Sequence, residues 1–227
     1  MAKLLDLFCG AGGAAMGYYR AGFDEIVGVD INPQPRYPFE FVQSDVFDFL
    51  NAASDPDQCP GHIGGYCLNE FDVVHASPPC QAYSQITGNA NRNRHPDLYQ
   101  PIRDRLGFLS IPWVIENVIG APYNSGFVLC GSMFNLRVRR HRNFETNWLH
   151  LMGLRCDHAK QGRPITVTGH GGGIPSRHSD RGIRTEWPEY MGMPWATPKE
   201  CTQAIPPAYT EYIGQTLIQN LEHRGYF

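Results

Sequence analysis

The 227-residue chain is long enough for one α/β domain with a small appendage and too short for two domains of ordinary size. A hydrophobic fraction of 42% is enough for a buried core, and no apolar run approaches the roughly 20 residues that a membrane span needs. Asp6 comes too early for the apolar region of a signal peptide. We therefore expect a soluble intracellular protein with no membrane partner. The odd number of cysteines, seven, and their uneven spacing favour reduced thiols.

The formal net charge of -3 conceals a strong segregation of charge along the chain. Residues 1–80 hold 3 basic and 11 acidic side chains, whereas residues 81–185 hold 14 basic and 6 acidic ones. Arginine, whose planar guanidinium suits phosphates and guanine edges, supplies 16 of the 19 basic residues. The central segment is thus a candidate nucleic-acid surface, although an Arg-rich solvated surface would give the same count.

Short apolar runs recur along the first half of the chain, and each of them ends in a glycine turn or a polar side chain. They are followed in turn by Cys9-Gly10-Ala11-Gly12-Gly13, Asp30, Asp45, Ser77-Pro78-Pro79-Cys80 and Glu116-Asn117. Helical or loop segments separate these runs, which predicts a mostly parallel, doubly wound α/β sheet with ligands along the carboxyl ends of its strands.

Three further segments stand outside this pattern. Residues 52–70 read as a surface insertion, and residues 155–184 are polar, basic and punctuated by glycine. Pro206-Pro207 opens a C-terminal helix. The segment after Arg155 contains Cys156, His158, His170 and His178, but it lacks a paired Cys-x-x-Cys knuckle, so we predict no metal site.

Two groups of residues suggest chemistry. Gly10 and Gly12 let the backbone approach a ligand, and Asp30 at the next strand end suits ribose hydroxyls, although a tight turn without ligand has the same composition. The spacing differs from Gly-x-Gly-x-x-Gly, which disfavours a nicotinamide cofactor. Cys80, after two stiffening prolines, is a candidate nucleophile within reach of Glu116, although a cysteine after a strand is more often core filler.

These residues carry a resemblance to the cytosine-C5 DNA methyltransferases, most closely to small phage-encoded members. Six stretches resemble the family's motifs in order: Asp6 to Gly13, Val29 to Pro33, Ser44-Asp45-Val46, Pro78 to Gln81, Glu116-Asn117-Val118 and Arg140-His141-Arg142. Gln203-Ala204-Ile205-Pro206-Pro207 resembles a seventh. Val138, Thr202 and Gln203 depart from the residues that the family usually places there.

The resemblance implies a class I S-adenosylmethionine-dependent methyltransferase fold, Rossmann-like, with a very small target-recognition segment. We predict a catalytic and cofactor-binding domain over residues 1–145, recognition over 146–185, and a C-terminal segment over 186–227 that packs back on the domain. The implied activity transfers methyl from S-adenosylmethionine to C5 of a flipped cytosine in double-stranded DNA, through a covalent adduct of Cys80 at C6. A cytoplasmic monomer of a bacterial or phage-infected cell is expected.

The residues and the resemblance together predict three sets of site residues. Catalysis is assigned to Cys80, Glu116, Arg140 and Arg142. The cofactor is assigned to Phe8, Cys9, Gly10, Ala11, Gly12, Gly13, Asp30, Ile31, Asp45, Val46, Pro79, Gln203, Ala204 and Ile205. DNA contact is assigned to Gln81, Ser84, Arg92, Arg94, Arg163, Arg177, Arg181 and Arg184. Arginine charge near Cys80 is expected to help the thiol ionise.

Three alternatives remain open at this point. One branch of the same family methylates transfer RNA. A thymidylate-synthase-like enzyme also forms a C6 adduct, but it leaves the glycine turn and Asp30 unexplained. The unusual Val138, Thr202 and Gln203 would also fit a homologue that binds S-adenosylmethionine and DNA without methyl transfer.

Overall fold

One seven-stranded sheet organises the computed structural model, which describes residues 2–55, 63–83, 95–123, 125–148, 153–168, 180 and 182–223. The strands are β1 (Ala2–Leu7), β2 (Phe23–Asp30), β3 (Glu40–Gln43), β4 (Val73–Ala76), β5 (Trp113–Asn117), β6 (Phe127–Leu129) and β7 (Arg142–Thr146). Their order is β3-β2-β1-β4-β5-β7-β6, with β1 to β5 parallel and with β7 antiparallel to both β5 and β6. The predicted mostly parallel, doubly wound sheet is confirmed.

The α-helices of the described residues are short, except for the last one. They are α1 (Gly13–Ala21), α2 (Val46–Ser54), α3 (Tyr99–Gly107), α4 (His158–Gln161), α5 (Trp187–Met191), α6 (Pro198–Cys201) and α7 (Pro207–His223). None of the helices in the described part of the chain has the length and apolar character needed to cross a membrane.

The position of β1 explains where a ligand site forms. Leu4, Leu5 and Leu7 are fully buried, as expected of a central parallel strand covered on both faces. The chain passes from β1 to β2 on one side and later places β4 on the other side. Such a reversal of strand order opens a crevice beyond the carboxyl ends of the two neighbouring strands.

Helix α7 closes the fold by packing along α1. The Thr210 hydroxyl donates to the Ala14 carbonyl at 2.8 Å, and a Cβ at Gly17 would lie 2.1 Å from the Pro207 carbonyl oxygen. Only glycine permits this close approach of the two helices. The predicted C-terminal helix is therefore present and contacts the first helix of the chain.

Part of the predicted recognition segment joins a small hydrophobic cluster beside α5. Ile165 forms parallel bridges to Val138 and Asp180, and it packs with Trp187 and Met191. Val138 is buried there, which explains why an apolar residue suits this position. The boundaries at residues 145/146 and 185/186 stay a prediction.

The cysteines differ from the uniformly reduced set that the sequence led us to expect. Cys9, Cys80, Cys130, Cys156 and Cys201 are free. Cys67, in the predicted surface insertion, is disulfide-bonded, so the expectation is wrong at that position.

Candidate active site

A cavity of about 520 Å³ lies beyond the carboxyl ends of β1, β2, β4 and β5. The walls come from six parts of the chain that the fold brings together. Fifteen of the predicted site residues line it: Phe8, Cys9, Gly10, Ala11, Gly13, Asp30, Ile31, Pro79, Cys80, Gln81, Glu116, Arg142, Gln203, Ala204 and Ile205. Predicted cofactor and catalytic residues therefore share one space.

The glycine turn after β1 is fixed by the carboxylate of Asp30. Its Oδ2 accepts from the Gly10 amide at 3.1 Å, and its Oδ1 accepts from the Asn32 amide at 2.9 Å. Gly10 and Phe8 both have positive φ, of 50° and 57°. A carboxylate offers about four lone-pair sites, so Asp30 can still accept from a bound ligand.

Three predicted cofactor residues do not line the cavity. The Asp45 carboxylate caps α2, accepting from the Phe47 amide at 2.8 Å and from the Asp48 amide at 3.3 Å, and Val46 is buried in the core. A Cβ at Gly12 would lie 2.7 Å from Pro38 Cδ, so this glycine permits close packing of the turn. These residues shape the surrounding turns.

Cys80 is half-buried at the end of the Ser77-Pro78-Pro79 turn. The Asn117 side chain donates to the Pro78 carbonyl at 2.9 Å and holds this turn against β5. Burial raises the pKa of the Cys80 thiol, and this effect outweighs the lowering by Arg142 and Arg140. The two arginines lower the pKa of the thiol, as expected, but by less than burial raises it. The thiol is therefore mainly protonated at neutral pH.

Glu116 and Arg142 form an ion pair on the wall beside Cys80. Arg142 Nε lies 2.9 Å from Glu116 Oε1, and the Glu116 residue is 7% exposed. Burial raises the pKa of the Glu116 carboxyl despite the opposing effects of Arg142 and of the Ser77 hydroxyl. Although this contact is short, Oε1 is buried and has no well-directed hydrogen bond among the described residues.

Arg140 does not line the cavity, in contrast to Arg142. Its guanidinium donates to the carbonyl oxygens of Val167, Cys201, Thr202 and Ala204. Burial lowers the pKa of Arg140 to about 9, with Arg142 adding to this effect. These four bonds connect the recognition segment to the stretch before α7, so we interpret Arg140 as a positioning residue.

Sequence reasoning missed much of the outer rim of the cavity. The additional lining residues are Ala14, Asn32, Gln34, Arg36, Ser77, Pro78, Thr197, Lys199 and Glu200. Arg36 and Glu200 form a bidentate pair, with Nη2 to Oε1 at 2.7 Å and Nε to Oε2 at 2.9 Å. The two residues are 164 positions apart, and no local motif connects them.

The predicted DNA contacts are only partly described. Gln81 lines the cavity, and its buried Oε1 has no hydrogen bond among the described residues. Arg163 pairs with Asp180 at 2.9 Å, and Arg184 lies over the Trp187 ring. Ser84, Arg92, Arg94, Arg177 and Arg181 lie outside the described residues.

Comparison with known proteins gives a family match for the first part of the chain. Residues 2–103 match the family described as C-5 cytosine-specific DNA methylase. Type II methyltransferase M.AgeI of Thalassovita gelatinovora is 28% identical over 141 residues, which is 58% of this chain and 31% of that protein. M.XorII of Xanthomonas oryzae pv. oryzae is 29% identical over 121 residues, 51% of this chain and 28% of that protein. The chain thus spans less than a third of the length of these curated relatives.

Solved structures share the fold over almost the whole chain. An E. coli prophage-encoded protein described as a DNA modification methyltransferase has a TM-score of 0.64 and 16% identity, covering 98% of this chain and 100% of its own. Spodoptera frugiperda DNMT2, as a mutant, has a TM-score of 0.63 and 13% identity, covering 96% of this chain and 100% of its own. These likenesses confirm the predicted class I, Rossmann-like methyltransferase fold.

Proposed function

Since residues 2–103 match the family described as C-5 cytosine-specific DNA methylase, we propose that the protein is a DNA (cytosine-5-)methyltransferase that uses S-adenosylmethionine. The main support is that Glu116, Arg142 and residues 203–205, all outside the matched range, line the same cavity as Cys80 and the glycine turn. A family match to one part of the chain would not by itself require this convergence.

The cavity suits S-adenosylmethionine in size and in its lining. Its volume lies within the range of about 300–1,000 Å³ typical of small-molecule sites. A Cβ at Gly10 would meet no protein atom within 4 Å, which leaves room for a ligand beside the turn. Ile31 lines the cavity with 61% of its surface exposed, and an apolar side chain so placed suits the face of an adenine ring. Asp30 would accept from the ribose hydroxyls.

The bound cofactor would supply an electrophilic methyl group, and the protein side chains would make cytosine C5 able to accept it. The Cys80 thiol, which burial keeps mainly protonated, first loses its proton to solvent, and the thiolate then adds to C6, which moves electron density towards C5. Glu116 donates a proton to N3 as this charge develops, a role that suits a buried carboxyl group with a raised pKa. Arg142 donates to O2, as the family resemblance implies. Once C5 carries the methyl group, its proton leaves to solvent, the bond between C6 and the Cys80 sulfur breaks to release the thiolate, and the N3 proton returns to Glu116.

The target base must leave the duplex before these groups can reach it. Unstacking and unpairing a cytosine costs a few kcal/mol, and contacts to the DNA backbone must offset that cost. We propose that Arg92 and Arg94 contact phosphates, and that Arg163, Arg177, Arg181 and Arg184 read bases. The pairing of Arg163 with Asp180 means that a base would have to compete with that carboxylate.

Double-stranded DNA is the proposed substrate, and the relatives described as type II methyltransferases favour it over RNA. We further propose a cytoplasmic monomer. Two of the three unusual residues do not require a silent homologue, since Val138 packs in the core and Thr202 accepts from Arg140 through its backbone.

The test is methyl transfer from labelled S-adenosylmethionine to unmethylated duplex DNA, followed by bisulfite sequencing, with RNA as the competing substrate. Cys80→Ala should abolish transfer yet retain cofactor binding by calorimetry, and Cys201→Ala, a buried cysteine outside the cavity, is the matched control. DNA containing 5-fluorocytosine should trap the wild type in a denaturation-resistant adduct, because fluorine cannot leave as a proton does. Full transfer by Cys80→Ala would contradict the mechanism.

A further inference from the structure

A second cluster of reactive side chains lies outside the cavity. Cys130, His141, Cys156 and His158 each offer one ligand atom, and these four atoms all lie within 4.8 Å of one another. Cys130 is buried before a 3-10 turn, His141 precedes β7, and Cys156 and His158 flank the start of α4. None of the four lines the cavity, so the proposed methyl transfer does not explain why they converge.

Two sulfur–nitrogen distances in this cluster match the edges of the ligand tetrahedron around a zinc ion. Cys130 Sγ lies 3.5 Å from His158 Nε2, and Cys156 Sγ lies 3.6 Å from His141 Nε2. With bonds of about 2.3 Å to sulfur and about 2.0–2.1 Å to nitrogen, a tetrahedral ion holds neighbouring sulfur and nitrogen ligands about 3.6 Å apart. The two imidazole rings cross at 78°, with centroids 5.1 Å apart, so their Nε2 atoms approach the sulfurs without stacking.

The chemistry of the donors selects the metal. Two thiolates and two imidazoles form the set that holds structural zinc, and they leave no open position for a substrate or water. Both cysteines are free, so a disulfide does not account for their proximity. The Ser132 hydroxyl donates to Cys130 Sγ at 3.3 Å and would stabilise the thiolate as an outer-sphere partner.

We propose that Cys130, His141, Cys156 and His158 bind one structural zinc ion. Both sulfurs would bind as thiolates, so zinc binding would release any thiol proton still present. His141 lies between Arg140 and Arg142, while Cys156 and His158 lie within the predicted recognition segment. The ion would therefore anchor that segment next to the arginine pair of the active site.

No local motif in the sequence indicates this site. Ten residues separate Cys130 from His141, fourteen separate His141 from Cys156, and one separates Cys156 from His158. The prediction of no metal site rests on residues 146–185 alone. This range contains Cys156 and His158 but not Cys130 or His141. His170 and His178 belong to the same range, but they lie outside the described residues.

Metal analysis of the purified wild-type protein, prepared with reductant and dialysed against zinc-free buffer, tests the proposal. We expect one zinc per chain. Cys156→Ala, an exposed position that should not disturb folding, and His158→Asn should each weaken zinc binding at least about tenfold. Cys201→Ala and His95→Asn are the matched controls and should keep the full content. Ser132→Ala should weaken zinc binding by about tenfold, the effect typical of losing a hydrogen bond to a metal ligand.

Cobalt substitution distinguishes the sulfur ligands. After removal of zinc, Co²⁺ added to the wild type should give a thiolate-to-metal charge-transfer band, and Cys156→Ala should weaken it. A wild type that binds no zinc while its thiols are reduced would overturn the proposal. Equal zinc content in Cys156→Ala and in its control would do the same, whether or not methyl transfer is observed.

Discussion

Replacing Arg140 and Arg142 in turn should separate a positioning arginine from a catalytic one. Both side chains belong to the same family-like motif, yet only Arg142 lines the cavity. The Arg140 guanidinium donates to four backbone carbonyls, whereas Arg142 contacts Glu116 and the His141 carbonyl. We therefore expect Arg140→Met to act first on stability and Arg142→Met to act first on the chemical step.

The expected size of the effect follows from these contacts. A hydrogen bond to a charged donor contributes about 1.5–3 kcal/mol. The loss of all four hydrogen bonds in Arg140→Met is offset in part, because removing the guanidinium also removes the free-energy cost of burying its charge. We expect Arg140→Met to lower the free energy of unfolding by about 2–4 kcal/mol. Arg142→Met should lower it by less than about 1 kcal/mol, because the buried Glu116 carboxyl, whose pKa burial already raises, can take up a proton once its cationic partner is removed.

Urea denaturation followed by circular dichroism measures the first effect, and single-turnover methyl transfer measures the second. Arg142→Met should lower the single-turnover rate about 10²-fold, the scale for loss of one preorganised donor. Arg140→Lys provides a further check, since an ammonium has only three donors for four carbonyls. If Arg140→Met unfolds at the wild-type urea concentration but loses turnover as Arg142→Met does, Arg140 is catalytic and the reasoning is wrong.

Three further predictions concern single side chains. Asp30→Ala should weaken S-adenosylmethionine binding by about 1–3 kcal/mol in calorimetry, while Asp45→Ala, whose carboxylate caps α2, should act mainly on stability. Burial raises the pKa of Asp6 to about 8 from an ordinary value of 3.8, so the folded state holds its proton and stability falls as pH rises between these values. In Asp6→Asn, the decline of the free energy of unfolding should be smaller by about 1.4 kcal/mol for each pH unit between pH 5 and 7. If denaturation at several pH values gives the wild-type pH dependence for this variant, the raised pKa of Asp6 is contradicted. Iodoacetamide should modify Cys80 slowly at pH 7 and faster as pH rises past 9, and fast labelling at pH 7 would show that its thiol is ionised.

Local patterns predicted the groups at the strand ends. The carboxyl ends of parallel strands share one edge of the sheet, so the glycine turn, Asp30, Cys80 and Glu116 had to meet once the sheet formed. The glycine turn and the Pro-Pro-Cys sequence carry this information within a few residues.

Residues that meet through long-range packing had no such signal. Arg36 and Glu200 pair across the cavity from distant parts of the chain, and the Cys130 cluster collects side chains from three loops. Asp45 shows the reverse case, in which a strand-end carboxylate caps the following helix instead of lining the cavity. A motif therefore predicts where a side chain lies along the sheet edge, but the neighbouring residues determine whether that side chain bonds to the protein or faces the cavity.

The packing of α7 against α1 has a consequence for how the chain folds. The Thr210 hydroxyl and the Ala14 carbonyl are joined across 196 positions, and the cluster around Tyr18 and Phe23 also contains Leu217 and Leu221. Until α7 has been synthesised, α1 covers that face of the sheet alone, and the apolar side chains that α7 would bury stay in contact with water. Contacts of such long sequence separation slow folding, and exposed apolar side chains invite association with other chains. A ribosome-bound chain that lacks α7 should therefore depend on chaperones more than the finished protein does.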